Sequence, residues 1–229
     1  MNLRNYRCYK APVQLQLFEI WTTQPDPEAR LDGNVMFTDN ARFADCSDTH
    51  RKDSEFEVLS NDVLQVSGVR NCQMITVKDN VADEHMIMVN LHLHNPAEKL
   101  ELGDYLRGHQ CEQMLHWLNA RKREVDANKV FVFGDFNTEP GETPYRMMKD
   151  AGFLSAYEQV HGKEPEVTFP TGIQAPFMDP DPPACFDYIF YQGTGIELCD
   201  AQIAADKCVP GDPTLYASDH KAIVVDFKI

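Results

Sequence analysis

The stretch VFVFGDFNTEP, Val130 to Pro140, carries four apolar residues through one glycine into an acid, an aromatic ring and an amide. An apolar run without alternation is typical of a strand that is buried on both faces. Asp135 and Asn137 then stand at the end of that strand, where a sheet supplies rigid support and the adjoining loop supplies access. The stretch therefore predicts a buried strand that delivers these two side chains to a site.

Strand-like runs recur along the chain with helical patterns between them, which predicts an α/β fold in a single domain over residues 1–229. In MIMVNLHLH, residues 86–94, the even positions share one face and include His92 and His94, while the odd positions are aliphatic. The runs FDYIFY (186–191) and AIVVDFKI (222–229) predict the last two strands. Each of these strands begins at or just after a polar residue.

Two helices are predicted between the strands. From Leu102 to Ala127 the spacing suits an amphipathic helix, and its apolar face consists of Tyr105, Leu106, Met114, Trp117 and Leu118. ETPYRMMKDAG (142–152) is typical of a short helix that Thr143 caps, with Pro144 at the first helical position and Gly152 at its close. The proline-rich run FPTGIQAPFMDPDPPAC (169–185) predicts a loop.

Four predicted strand ends carry side chains that suit phosphate-ester chemistry: His92 and His94, Asp135 and Asn137, Asp187, and Asp219 and His220. The carboxylates of Asp135 and Asp219 are hard oxygen ligands, which suit Mg2+ or Mn2+ better than zinc. Such a cation stabilises charge that builds on a phosphoryl oxygen. Asp135 can also orient or deprotonate an attacking water.

The remaining polar residues have roles that follow from their chemistry. Asn137 can donate a hydrogen bond to a phosphate without adding negative charge. Protonated His92 and His220 would stabilise the transition state, and Asp187 would orient one of the two rings. A zinc pair of the H-x-H type at His92 and His94 is an alternative, although NPAEK follows it instead of a further acid and histidine.

Composition restricts the partners and the compartment. The formal net charge of -15, from 21 basic and 36 acidic residues, opposes binding to a polyanion unless basic groups are gathered on one face. Seven cysteines, odd in number and without a C-x-x-C pair, predict reduced thiols in an intracellular protein, cytoplasmic or mitochondrial. The first residues lack a signal-peptide pattern and the chain lacks an 18-residue apolar run, so we expect neither secretion nor a membrane partner.

The series NLHLHNP, VFGDFNTEP, CFDYIFY and YASDHKAIVVDF resembles the endonuclease/exonuclease/phosphatase superfamily. LDGNVMF, with Arg107 and Gln110 in YLRGHQ, is similar to the nocturnin and messenger-RNA deadenylase branch. The resemblance implies a deoxyribonuclease-I-like sandwich of two mixed sheets flanked by helices, and an Mg2+-dependent phosphoesterase acting on a nucleotide, RNA or a phosphorylated small molecule. It assigns these roles: Asp135 to water activation and metal binding, Asn137 to phosphate positioning, His92 and His220 to phosphate contact or proton transfer, Asp187 to pairing with His220, and Asp219 to metal binding.

The chain departs from that family at its beginning. Members start with a strand carrying an asparagine and a second strand ending in a metal-binding glutamate, and neither pattern is evident here. We therefore expect an N-terminally incomplete fold, with Glu19 of VQLQLFEI as a less favoured substitute for the missing ligand. The alternative function is a catalytically incomplete structural or assembly subunit, whose missing strands another protein chain supplies. Phe177 and Met178 of the proline-rich loop either pack that loop or stack on a substrate.

Overall fold

The structure is a computed structural model and describes residues 6–10, 35–39, 43–45, 56–67, 70–95, 100–171, 182–204, 207–208, 211–212 and 218–229. The chain forms two compact units, one of residues 1–93 with 112–132 and one of residues 94–111 with 133–229. The helix α1 (Leu100–Val125) and the strand β7 (Lys129–Asp135) each contribute residues to both units. The expectation of a single domain stays a prediction.

The first unit is built on a sheet of long antiparallel strands. Its strands are β1 (Tyr6–Lys10), β2 (Val35–Asp39), β3 (Phe43–Asp45), β4 (Phe56–Ser67), β5 (Arg70–Asp79) and β6 (Glu84–His92). β1 and β2 pair antiparallel with each other, and the order in the larger sheet is β3-β4-β5-β6-β7. β3 runs parallel to β4, whereas β4, β5 and β6 are antiparallel neighbours.

The core of the first unit is formed by β5, by one face of β6 and by buried side chains of α1. β5 is buried along nearly its whole length, because it has a strand on each side and both of its faces are covered. In β6 the odd positions Ile87, Val89 and Leu91 are buried, and His92 lies on the less buried even-numbered face, which confirms the predicted alternation from Ile87 onward. Met114 and Leu118 of α1 are fully buried in this unit, as the helical spacing predicts.

The second unit combines two short helices with the remaining strands. Its elements are α2 (Thr143–Asp150), β8 (Leu154–Ser155), α3 (Ala156–His161), β9 (Asp187–Gly193), β10 (Glu197–Ala204) and β11 (Ala222–Lys228). The order of the strands is β7-β9-β8, and β10 pairs antiparallel with β11. Four rings pack in its core with centroids 5.3 to 5.7 Å apart: Phe136, Tyr145, Tyr188 and Phe190. Tyr188 and Phe190 stack on each other, and the other pairs meet edge-on or tilted.

Two details of the helices correct the predictions. Glu142, not Thr143, is the N-cap of α2, because Thr143 already has helical geometry and its hydroxyl donates to Asp104 Oδ2 at 2.5 Å instead. Gly152 closes the helix as predicted, with a φ of +85° that disfavours other residues. The prediction that Tyr105 belongs to the apolar face of α1 is wrong, because Tyr105 is 70% exposed. Among the described residues, no helix is both long enough and apolar enough to cross a membrane.

Candidate active site

The end of β7 presents Asp135 through a backbone that only certain residues adopt. Gly134 has a φ of +133°, a conformation open to glycine, and Asn137 has a φ of +49°, which asparagine tolerates better than most side chains. The Asn137 backbone N–H donates to Asp135 Oδ1 at 2.8 Å, and its Nδ2 donates to Asp135 Oδ2 at 3.2 Å. Asn137 therefore orients the Asp135 carboxylate in this structure, and its predicted phosphate contact stays a prediction.

Asp187 and His220 form the second part of the site. Asp187 is the first residue of β9, and His220 lies two residues before β11. The distance from His220 Nδ1 to Asp187 Oδ2 is 2.8 Å, whereas His220 Nε2 lies 3.8 Å from Asp135 Oδ2. Potential ligand atoms of Asp135, Asp187 and His220 all lie within 4.8 Å of one another. The second unit therefore gathers three of the predicted side chains in one place.

The electrostatics of this cluster favour a charged imidazole. Burial by itself lowers the pKa of His220, but the hydrogen bond and charge of Asp187 oppose it, together with the charges of Asp135 and Asp219. The net result raises the pKa of His220 from 6.5 to about 9. In the metal-free protein His220 is thus protonated at neutral pH, with Nδ1–H donating to Asp187.

The loop after Asp135 is held by charged side chains of α1 and α2. The Glu142 carboxylate accepts hydrogen bonds from the Thr138 hydroxyl at 3.1 Å and from the Glu139 N–H at 2.8 Å. Arg107 is 1% exposed, and its Nη2 lies 3.7 Å from Glu142 Oε2 and 4.0 Å from Asp104 Oδ1. Burial lowers the pKa of Arg107, and the carboxylates of Glu142, Asp104 and Asp135 oppose that change. These ion pairs compensate a buried cation.

Gln110, the other residue that marks the nocturnin-like branch, has a backbone partner. Its Oε1 accepts the N–H of His94 at 2.9 Å, and its side chain is buried. The structure thus gives both marker residues of α1 a role in holding loops of the second unit. Spacing within the helix did not reveal these contacts.

His92 lies at the end of β6 in the first unit. Its Nε2 is 2.9 Å from Arg70 Nη1, and an arginine can only donate, so Nε2 must accept. This hydrogen bond requires a neutral His92 ring, whereas the sequence-based role used its protonated form. Arg70 has no motif around it in the sequence and was not predicted as a partner of His92.

The other candidate residues have separate outcomes. Asp219 is exposed and accepts a hydrogen bond from the Ser218 hydroxyl at 3.3 Å, so its role as a metal ligand stays a prediction. Within the described ranges, the group of three ligand-type side chains contains neither His92 nor His94, which gives the zinc alternative no support. Glu19, Phe177 and Met178 lie outside the described residues.

Thr168, which directly precedes the predicted loop, and residues 169–171 at the start of that loop contact both acidic strand ends. The Thr168 hydroxyl accepts the N–H groups of Phe186 and Asp187, and the Thr171 N–H donates to the Asp219 carbonyl at 2.8 Å. The ring of Phe169 lies 4.8 Å from that of His220. The sequence carries no signal for these contacts beyond two threonines that flank Phe-Pro.

Comparison with known proteins identifies the family of this chain. The model of the Endonuclease/Exonuclease/phosphatase family matches residues 89–220, which include Asp135, Asp187 and His220. The chain belongs to this family of phosphoesterase-type hydrolases.

The individual proteins that resemble this chain share less than a third of their residues with it in the aligned regions. The inositol phosphosphingolipids phospholipase C of Saccharomyces cerevisiae is 28% identical over 86 residues, 37% of this chain, and the matched segment spans only 18% of that enzyme. The human Nocturnin catalytic domain with bound sulfate has a TM-score of 0.68 at 18% identity, covering 98% of this chain and 72% of that one. A mannosyl-6-phosphatase of Bacteroides thetaiotaomicron has a TM-score of 0.64 at 13% identity, covering 98% and 85%. These likenesses confirm the predicted α/β fold of the deoxyribonuclease-I type.

Proposed function

We propose that the chain is a divalent-metal-dependent phosphoesterase that hydrolyses a phosphodiester or phosphomonoester. The observation that carries the proposal is the half-buried Asp187–His220 pair, in which His220 Nε2 lies 3.8 Å from Asp135 Oδ2. These three side chains come from segments far apart in the sequence. Bringing two carboxylates and an imidazole together out of water costs free energy, so the hydrophobic effect does not explain their clustering. Such costs are typical of functional sites.

The donor set fits the cation that this family implies. Asp135 offers a carboxylate that two hydrogen bonds from Asn137 hold in place, and Asp219 adds a second, exposed carboxylate close enough to influence His220. Hard oxygen donors of this kind suit Mg2+ or Mn2+, so we assign Asp135 and Asp219 as the side chains that would hold the ion. When bound, the ion supplies positive charge to the phosphoryl oxygens.

The chain's own residues supply the remaining groups for hydrolysis. A water attacks phosphorus, and Asp135 orients the water and accepts its proton. The bond from phosphorus to the leaving oxygen breaks, and that oxygen keeps the electron pair and takes up a proton from solvent. Protonated His220 donates from Nε2 to a phosphoryl oxygen, and Asp187 holds the ring at Nδ1 so that Nε2 faces the substrate. Asn137 keeps the Asp135 carboxylate aimed at the water.

Charge favours a small substrate. The chain has a formal net charge of -15, so it repels a long polyanion along its whole length. A nucleotide or a phosphorylated small molecule is exposed only to the local field of the site. We therefore propose a substrate of nucleotide size.

The described cysteines 72, 111, 185, 199 and 208 are free thiols, which supports the proposed intracellular setting.

The test measures hydrolysis of bis-p-nitrophenyl phosphate, p-nitrophenyl phosphate and a panel of mononucleotides with Mg2+, Mn2+ or excess EDTA. We expect turnover that EDTA abolishes and that His220→Gln and Asp187→Asn reduce by about 10²- to 10⁴-fold, the usual contribution of a positioned acid or base. Cys199→Ser, a change at an exposed position, is the matched control. Absence of turnover with every substrate in a folded preparation that binds Mg2+ would contradict the proposal.

A further inference from the structure

Thr168 occupies a central position in the hydrogen bonding around the Asp187–His220 pair. It is fully buried, and its hydroxyl oxygen accepts two consecutive backbone N–H groups, from Phe186 at 2.9 Å and from Asp187 at 3.2 Å. A hydroxyl oxygen has two acceptor lone pairs, so these two bonds use its full acceptor capacity. The side chain of Thr168 thus sets where the backbone of Asp187 begins β9.

The backbone of the same residue holds the other half of the pair. The Thr168 carbonyl accepts the N–H of Lys221, the neighbour of His220, at 2.7 Å. Its N–H donates to the carbonyl of Ala184 at 2.9 Å, which fixes Thr168 to the chain that leads into β9. One residue therefore fixes the backbone positions on which both Asp187 and His220 depend.

The next residues extend this support to the other side of His220. The Thr171 N–H donates to the Asp219 carbonyl at 2.8 Å, and its hydroxyl donates to the Ser218 carbonyl at 2.7 Å. The Phe169 ring packs against the His220 imidazole with the planes tilted by 41°. His220 is thereby held before and after its own position and along one face of its ring.

We propose that Thr168 is a positioning residue for the Asp187–His220 pair, acting through its hydroxyl on the backbone of Asp187 and through its carbonyl on the segment of His220. The expected effect on turnover rests on the proposed function. The effect on the geometry of the pair does not, because it depends only on contacts in the folded chain.

The hydroxyl is the part of Thr168 that a substitution can remove. Valine has nearly the same shape but no acceptor, so Thr168→Val leaves two buried N–H groups unpaired at the start of β9. Those groups will move to find other partners, and Asp187 moves with them. A displacement of roughly 1 Å at a reacting group costs up to about 10²-fold in rate.

The experiment combines a spectroscopic measurement with kinetics on the full chain. The hydrogen-bonded Nδ1–H of His220 is followed in metal-free protein as a low-field proton NMR signal, assigned by its loss in His220→Gln. Thr168→Val, Thr168→Ser and the control Thr76→Val are then compared. Thr76 is buried in β5 of the other unit, and its hydroxyl has no hydrogen-bond partner within the described part of the chain, so the control makes the same change without removing a bond.

We expect Thr168→Val to shift or remove the low-field signal and to lower kcat by about 10- to 100-fold with KM changed by less than about twofold. Thr168→Ser keeps the hydroxyl, so its low-field signal and kcat should stay close to those of the wild type. Thr76→Val should retain both as well. If Thr168→Val does not fold, Thr168→Ala takes its place, because it removes the same acceptor and adds no bulk beside the two N–H groups.

Two outcomes would overturn the inference. One is an unchanged signal and rate in a folded variant without the hydroxyl. The other is an equal loss in Thr76→Val, which would mean a general effect of destabilisation. If the wild-type chain shows no turnover at all, the proposed function fails, and the NMR signal alone still decides the role of Thr168.

Discussion

Replacing Asp187 with asparagine should remove most of the pH dependence of stability that His220 introduces. The folded-state pKa of His220 is raised to about 9 against an ordinary value of 6.5, chiefly by Asp187 in opposition to burial. That gap corresponds to about 3 kcal/mol, at roughly 1.4 kcal/mol for each tenfold change in the equilibrium constant. The His220 side chain is 26% exposed, so solvent screens the interaction only in part.

The sign follows from the direction of the change in pKa. Because the folded-state pKa is raised, the stabilisation is fully present below about pH 6.5 and is lost as the pH rises through about 9. Asp187→Asn should therefore lower the free energy of unfolding by up to about 3 kcal/mol at pH 6 and by much less at pH 9.5. The pKa of His220 in the variant should fall to near its ordinary value.

The assay is urea unfolding of metal-free wild type and Asp187→Asn at a series of pH values between 6 and 9.5, with EDTA present throughout. An NMR titration of the His220 ring in both proteins measures the pKa directly. Glu166→Gln, which removes an exposed carboxylate that pairs with Lys163, is the control for a general change of charge. A difference between wild type and Asp187→Asn that stays constant with pH, or a wild-type His220 pKa near 6.5, would contradict this prediction.

Three further predictions concern the metal, the core and the thiols. Mg2+ at about 100 times its dissociation constant should raise the free energy of unfolding by about 2.7 kcal/mol, and Asp135→Asn should abolish that gain, as thermal unfolding with and without EDTA will measure. A gain that survives Asp135→Asn would place the ion elsewhere. Phe190→Ala should cost about 3 to 5 kcal/mol because Phe190 is fully buried in the aromatic cluster, whereas Tyr105→Ala at the exposed face of α1 should change stability by less than about 0.5 kcal/mol in urea unfolding. Burial raises the pKa of Cys111 and of Cys185 to about 12, so maleimide labelling at pH 7 followed by peptide mapping should find Cys199 modified and these two intact until the chain unfolds.

The sequence predicted helices and strands correctly where their type and ends depend on the spacing of apolar residues or on a single proline or glycine. The alternation in β6, the buried run in β7 and the proline and glycine at the ends of α2 each reflect interactions within a few residues, which sequence spacing records directly. Tyr105 shows the limit, because helical spacing places it on the face of Leu106 and Met114 while the structure leaves it in solvent. Periodicity gives the direction of a side chain but not the extent of the surface that covers it.

The candidate site divides in the same way. Sequence alone determined which residue types stand at the strand ends, and so identified Asp135, Asp187 and His220 together with the family to which the chain belongs. Only the tertiary structure decided that His220 turns Nδ1 to Asp187 and that Thr168 supports the pair. Those contacts join segments up to tens of residues apart, and their free energies depend on burial and distance, which exist only once the chain has folded.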